Sequence, residues 1–179
     1  CILTLSYILI LSSILTAYFN NIQISNPMTA TALLDTDHIN TDKPPFILVD
    51  GSYYMFRNFH ALPVTMQTTQ GLHTNSIRGT LNALKKLMEK YRPTHMAVAF
   101  DTKAPTFRHK LSPIYKGDRP EMPAELAEQI PYIHKMIQAM GIPLLAIEGV
   151  EADDIIGTLA HRACLEGHHV IISTGDKDM

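Results

Sequence analysis

The chain is poor in cysteine, in net charge and, at its amino terminus, in any charge at all. Its two cysteines, Cys1 and Cys164, lie far apart. That spacing excludes a disulfide framework and a thiolate metal site, and it fits a reducing, cytoplasmic setting. Cys164 falls within a helical pattern and reads as a small packing residue. A formal net charge of −2 excludes a globally basic nucleic-acid binder, so any such role has to rest on local charge. Residues 1–19 contain no charged side chain, and no Lys or Arg occurs before Lys43. A secretory signal needs a basic start, which this stretch lacks. Its length would just span a bilayer. However, the chain begins with Cys rather than Met, and residues 1–27 are therefore read as an apolar, non-native extension upstream of Met28. Residues 28–43 read as a mobile leader and 44–179 as the domain proper. No internal repeat or low-complexity block is present.

What the sequence does have is four short apolar runs that each lead into acids. Phe46–Val49 runs into Asp50, and Met96–Phe100 into Asp101. Leu144–Ile147 leads to Glu148, Glu151, Asp153 and Asp154, and Val170–Ile172 leads to Asp176 and Asp178. Apolar runs of this length, separated by helical stretches, predict buried parallel strands at 46–50, about 95–100, about 143–147 and about 169–173. The fold class is then α/β, a mostly parallel sheet with flanking helices. Parallel strands place all their carboxyl ends along one edge, where open α/β sheets bind ligands.

Acids are therefore expected to crowd that edge. Two carboxylates 4 Å apart repel by roughly 1 kcal/mol in water and about 4 kcal/mol near a protein surface. Several such pairs would consume much of a domain's stability of ~5–15 kcal/mol. These segments hold one nearby base, Lys177, so cations are the expected neutraliser. An all-oxygen site suits two Mg²⁺ ions, with Mn²⁺ as a substitute. Such a pair can activate water and stabilise the leaving oxygen of a phosphodiester. The competing reading makes individual acids helix caps or solvated loop residues.

Between the strands, 51–60 reads as a turn and short aromatic helix, and 61–75 as a polar loop. A helix over Asn75–Tyr91 should bury Ile77, Leu81, Leu84, Met88 and Tyr91, leaving Lys85, Lys86 and Lys90 on a solvated face. Residues 102–123 read as a proline-rich linker. A helix over 124–140 should bury Leu126, Ile130, Ile133, Ile137 and Met140, be kinked or split at Pro131, and be capped by Gly141. A last helix over 152–166 should bury Ile155, Ile156, Leu159 and Ala163, with Gly167 as its cap.

Residues 102–119 set five basic residues, Lys103, Arg108, Lys110, Lys116 and Arg119, against the single acid Asp118, with Phe107 and Tyr115 interleaved. Basic side chains bind phosphates and aromatic rings stack on bases. A basic loop directly after Asp101 suits a polyanion that is cut at the acidic edge.

The blocks Gly149-Val150-Glu151-Ala152-Asp153-Asp154-Ile155-Ile156-Gly157 and Ser173-Thr174-Gly175-Asp176-Lys177-Asp178 resemble the signatures of the 5′ nuclease domain of bacterial DNA polymerase I, in the flap-endonuclease family. Val49-Asp50-Gly51-Ser52 and Ala99-Phe100-Asp101 resemble two earlier blocks. Phe107-Arg108-His109, Tyr115-Lys116 and Arg119-Pro120 resemble the helical-arch segment. The likeness runs from Phe46 to Met179 with the blocks in order.

It implies a PIN-like 5′ nuclease fold with a basic arch after the second strand. It also implies a Mg²⁺-dependent phosphodiesterase acting on DNA with 5′ ends or flaps and on RNA primer–DNA junctions, as a monomer. By the same resemblance Asp50, Asp101, Glu151, Asp153, Asp154, Asp176 and Asp178 surround the ions, and Lys116 and Arg119 act on the scissile phosphate. Tyr115 stacks on a base, and Arg57 and Arg108 hold flanking phosphates. His73 stands where many relatives carry Pro. Relatives also continue into a helix with further acids, a helix-hairpin-helix element and the polymerase, so residues 1–179 alone are expected to be weak or inactive. A PIN-type ribonuclease, a DNA-binding fragment without turnover and a phosphotransfer module are the alternatives. The arch segment speaks against the first and the last.

Overall fold

The computed structural model describes residues 43–112, 114, 115, 117 and 121–175. The extension 1–27 and leader residues 28–42 lie outside them, as do Lys116, Arg119, Asp176 and Asp178. Among the described residues no helix is long and apolar enough to cross a membrane.

The four apolar runs form β1 (Phe46–Asp50), β2 (His95–Ala99), β3 (Leu144–Leu145) and β4 (Val170–Ser173). They make one sheet in the order β3-β2-β1-β4, with every pair parallel. All five residues of the central β1 are buried, which is why its sequence is apolar on both faces rather than alternating.

Six helices accompany the strands among the described residues: α1 (Gly51–Ala61), α2 (Asn75–Tyr91), α3 (Phe107–Leu111), α4 (Ala124–Ala127), α5 (Ile130–Ala139) and α6 (Ala152–Leu165). On one face of the sheet, Ile47, Val49, Met96 and Val98 pack with Met55 of α1, Leu84 of α2, and Ile133 and Ile137 of α5. Leu48 and Ala97 alternate to the opposite face, which α6 covers with Ile155, Ile156, Leu159 and Ala163. Gly51 lets α1 start directly against β2: a Cβ there would lie 2.5 Å from the Phe100 ring and 2.7 Å from Val98.

Several expectations need correcting. No turn precedes α1, because Asp50 caps it directly by accepting the Tyr53 N–H. The linker 102–123 contains α3, and β3 is two residues rather than five. On α2 the fully buried residues are Asn75, Ser76, Gly79, Thr80 and Leu84, whereas Met88 is exposed. Small and polar residues win that face because α2 closes tightly on α1. There the Ser76 hydroxyl donates to the Met55 carbonyl, and the Asn75 amide donates to the Phe59 and Leu62 carbonyls.

Other expectations hold. The 124–140 helix is split, with Pro131 in the first turn of α5, where its missing N–H costs nothing. Gly141 and Gly167 take positive φ just past their helices.

His134 on α5 sets its ring 4.6 Å from that of Phe100, and its Nε2 is buried without a hydrogen-bond partner. Burial lowers its pKa from the ordinary 6.5. The unfolded chain therefore takes up this proton at a higher pH than the native one, and stability falls as pH drops below about 6.5. His134→Phe should flatten that decline. Melting temperatures at about pH 7.5 and about pH 5.5 check this, and equal declines in parent and variant would refute it.

Candidate active site

Parallel pairing in register brings the strand ends together: Asp50 pairs with Ala99, Val49 with Ser173, and Ala99 with Leu145. Asp50 is buried at the end of β1. Its Oδ1 accepts the Tyr53 N–H at 2.9 Å and its Oδ2 the Thr174 hydroxyl at 3.0 Å. Asp101, just past β2, is exposed. Its backbone N–H donates to Ser52 Oγ at 2.9 Å, and its Oδ1 accepts the Ala152 N–H at 3.0 Å. Two acids thus also serve as helix-terminus partners, Asp50 for α1 and Asp101 for α6. An acid is favoured there because the first N–H groups of a helix lack intrahelical acceptors.

Glu151, the residue before α6, is only 5% exposed. The Thr106 hydroxyl donates to its Oε1 at 3.3 Å and the Tyr115 hydroxyl to its Oε2 at 3.2 Å. Asp154, in the first turn of α6, receives both terminal nitrogens of Arg108, Nη1 on Oδ2 at 2.6 Å and Nη2 on Oδ1 at 2.8 Å. Arg108 Nη1 is also 3.4 Å from Glu151 Oε2. The hydrogen bond to Asp154 raises the Arg108 pKa above its ordinary range, against the opposing effect of burial. Asp153 is half-buried in the same turn.

The edge therefore gathers Asp50, Asp101, Glu151, Asp153 and Asp154, with Arg108 and Tyr115 folded onto it. Arg57 is exposed on α1, its guanidinium 6.0 Å from the Tyr53 ring centroid. Among the described residues no three Asp, Glu, His or Cys side chains are grouped so as to hold a metal ion. The oxygens of Asp50, Asp101, Glu151 and Asp154 accept from N–H, hydroxyl and guanidinium donors.

Sequence reasoning missed Ser52, Thr106, Ser173 and Thr174. Ser173 Oγ meets the Tyr54 hydroxyl at 2.7 Å. The available signal was a hydroxyl residue adjoining the acids, in Asp50-Gly51-Ser52 and Ser173-Thr174. Gly175 closes on Tyr53, where an added Cβ would fall 2.0 Å from the ring.

A family model described as the 5′-3′ exonuclease, N-terminal resolvase-like domain, matches residues 45–179. The chain belongs to this family. It is a nuclease family, and the match covers the whole sheet and both acid-bearing signature blocks. DNA polymerase I of Pseudomonas aeruginosa is 50% identical over 135 residues, covering 75% of this chain and 15% of that protein. DNA polymerase I of Bacillus caldotenax is 44% identical over 137 residues, covering 76% and 16%. The chain thus spans about 15% of the length of these relatives.

Among solved structures, the T5 D15 protein co-crystallised with metal ions superimposes with a TM-score of 0.54 at 25% identity, covering 74% of this chain and 49% of that one. A bacteriophage T5 D15 flap endonuclease complex with DNA and metal ions gives a TM-score of 0.56 at 23% identity with the same coverage, a likeness of fold.

Proposed function

We propose that this chain is the amino-terminal catalytic portion of a 5′→3′ exonuclease and flap endonuclease. It would hydrolyse phosphodiester bonds of DNA, and of RNA primers at primer–DNA junctions, as part of a DNA polymerase I in replication and repair. The observation that carries this reading is the convergence of Asp50, Asp101, Glu151 and Asp154 on one sheet edge beside a basic segment. A reducing, cytoplasmic setting fits the two widely separated cysteines.

The donor chemistry fits Mg²⁺, with Mn²⁺ as a substitute. Every candidate is a carboxylate, and hard oxygen ligands are what these cations take. The T5 D15 relative is likewise crystallised with metal ions. Asp50, Asp101, Glu151, Asp153 and Asp154 would hold two ions, together with Asp176 and Asp178. The chemistry such ions would supply at these carboxylates is activation of water and stabilisation of the leaving oxygen.

The chain's own groups do the rest. Asp50 and Asp101 are held in place by backbone N–H groups. Tyr115 offers a ring to a base near the cut. Lys116 and Arg119 would meet the scissile phosphate as cations aimed at developing charge, and Arg57 and Arg108 would hold neighbouring phosphates.

Single-turnover cleavage of a 5′-flap duplex, with protein in excess, tests the reading. Slow Mg²⁺-dependent release of the flap is expected, and EDTA should abolish it. Tight flap binding in Ca²⁺ without any cleavage in Mg²⁺ or Mn²⁺ would overturn it in favour of a DNA-binding fragment without turnover.

A further inference from the structure

The basic segment does not stand away from the acidic edge. Three side chains within residues 106–115 reach two carboxylates at the start of α6. Thr106 and Tyr115 take one oxygen each of Glu151, and Arg108 forks onto both oxygens of Asp154. The Arg108 and Asp154 side chains are each 30% exposed, so ions from solvent can reach the pair. A bidentate guanidinium–carboxylate pair is the strongest arrangement these two groups make. It also fixes the direction of α3, since Arg108 is the second residue of that five-residue helix.

A divalent cation at this edge would need some of the same oxygens. Mg²⁺ sits at roughly 2.0–2.1 Å from its ligands and tolerates little distortion. An oxygen that already holds a guanidinium at 2.6 Å cannot take the ion at that distance without bringing two cations together. Guanidinium and metal therefore compete for Asp154 and, through Nη1, for Glu151.

We propose that Arg108 is an internal counter-cation that latches the basic segment onto the acidic edge, and that a divalent cation bound at Glu151 and Asp154 displaces it. Release would turn Arg108 and Tyr115 from carboxylates toward a nucleic-acid backbone and base. The coupling is reciprocal: whatever factor the latch removes from metal affinity, the metal removes from the latch. A phosphate that captures Arg108 vacates the same oxygens. Cation and polyanion thus help each other bind, without a direct contact between them. This inference rests on the metal-nuclease reading above.

Mn²⁺ is the probe, with free ion counted by its electron paramagnetic resonance signal and amide hydrogen exchange followed over residues 107–112. In the parent chain, saturating Mn²⁺ should speed exchange in this stretch. Arg108→Met keeps the packing stem and removes the charge. It should bind Mn²⁺ about tenfold more tightly, melt lower without metal, and exchange rapidly at residues 107–112 with or without Mn²⁺. Arg108→Lys, which keeps one charge but not the fork, should fall between the two. A residue that merely supported the site would weaken Mn²⁺ binding when removed, the opposite sign. Unchanged or weaker Mn²⁺ binding in Arg108→Met, or parent exchange that is unmoved by Mn²⁺, overturns the latch and leaves the nuclease reading standing. Failure of parent and variant alike to bind Mn²⁺ overturns both.

Discussion

Replacing Gln129 by Leu is expected to cost about 3–5 kcal/mol of stability, a large share of what holds a domain of this size together. Gln129 is fully buried at the junction of α4 and α5. Its Oε1 accepts the Ser76 and Ile77 N–H groups at 3.0 and 3.2 Å. Its Nε2 donates to Asn75 Oδ1 at 2.9 Å and to the Glu125 carbonyl at 2.7 Å. The first two are N–H groups of the opening turn of α2, which have no intrahelical acceptor. Leucine fills the volume and satisfies none of the four. Each buried group left unpaired costs about 1–3 kcal/mol, and partial relaxation keeps the sum below simple addition. Urea unfolding should show a lower midpoint with an unchanged slope. A loss under about 1 kcal/mol would mean that water reaches the junction and that the network does not position α2.

The second large effect belongs to the acidic edge. Glu151→Gln keeps the shape of a buried side chain while removing its charge. The amide keeps one acceptor oxygen for the Thr106 and Tyr115 hydroxyls and loses the charge that faces Arg108 Nη1 at 3.4 Å. The loss in stability should be about 1–3 kcal/mol. Single-turnover flap cleavage should fall by about a hundredfold or more, since even groups that only orient metal ligands cost 10–100-fold when removed. Glu148→Gln, an exposed acid in the same loop, is the control and should change neither quantity appreciably. Equal losses in the two variants would deny Glu151 any special place.

The contrast between these two glutamates shows what could and could not be read from sequence. Strand positions were legible because a fully buried parallel strand has a simple signature, an unbroken apolar run, and β1 obeys it from Phe46 to Val49. The helical core of α5 and α6 was legible from period alone. The α2 face was not. Its close approach to α1 selects Ser76, Gly79 and Thr80, residues that a search for apolar repeats passes over, and the buried Gln129 that ties it down reads in sequence as surface.

At the site, the acids could be placed on one edge by topology, but not what they touch. Arg108 was read as a phosphate contact, and the structure brings it to Asp154. Nothing in residues 102–119 says that the segment folds back, because that depends on where α6 begins. Thr106 carries no charge and no motif of its own, and it becomes meaningful only when Glu151 is found within reach of its hydroxyl.

The placement of β1 between β2 and β4 also has a consequence for biosynthesis. Asp50 meets Thr174 across 124 positions of chain, and Tyr54 meets Ser173 across 119. Contacts so distant in sequence close slowly, and during translation they cannot close at all until the later partner has been made. At ~5–20 residues per second a ribosome needs roughly ten seconds to pass from the first to the last of them. Throughout that interval one hydrogen-bonding side of Phe46–Asp50, a strand buried along its whole length in the finished sheet, has no neighbour. The nascent chain can bury it against β2 and α1, but its open side stays available to any extended segment nearby. The assembled acidic edge therefore has to wait for β4 and Thr174. A chaperone guarding this domain on the ribosome would find its target at Phe46-Ile47-Leu48-Val49.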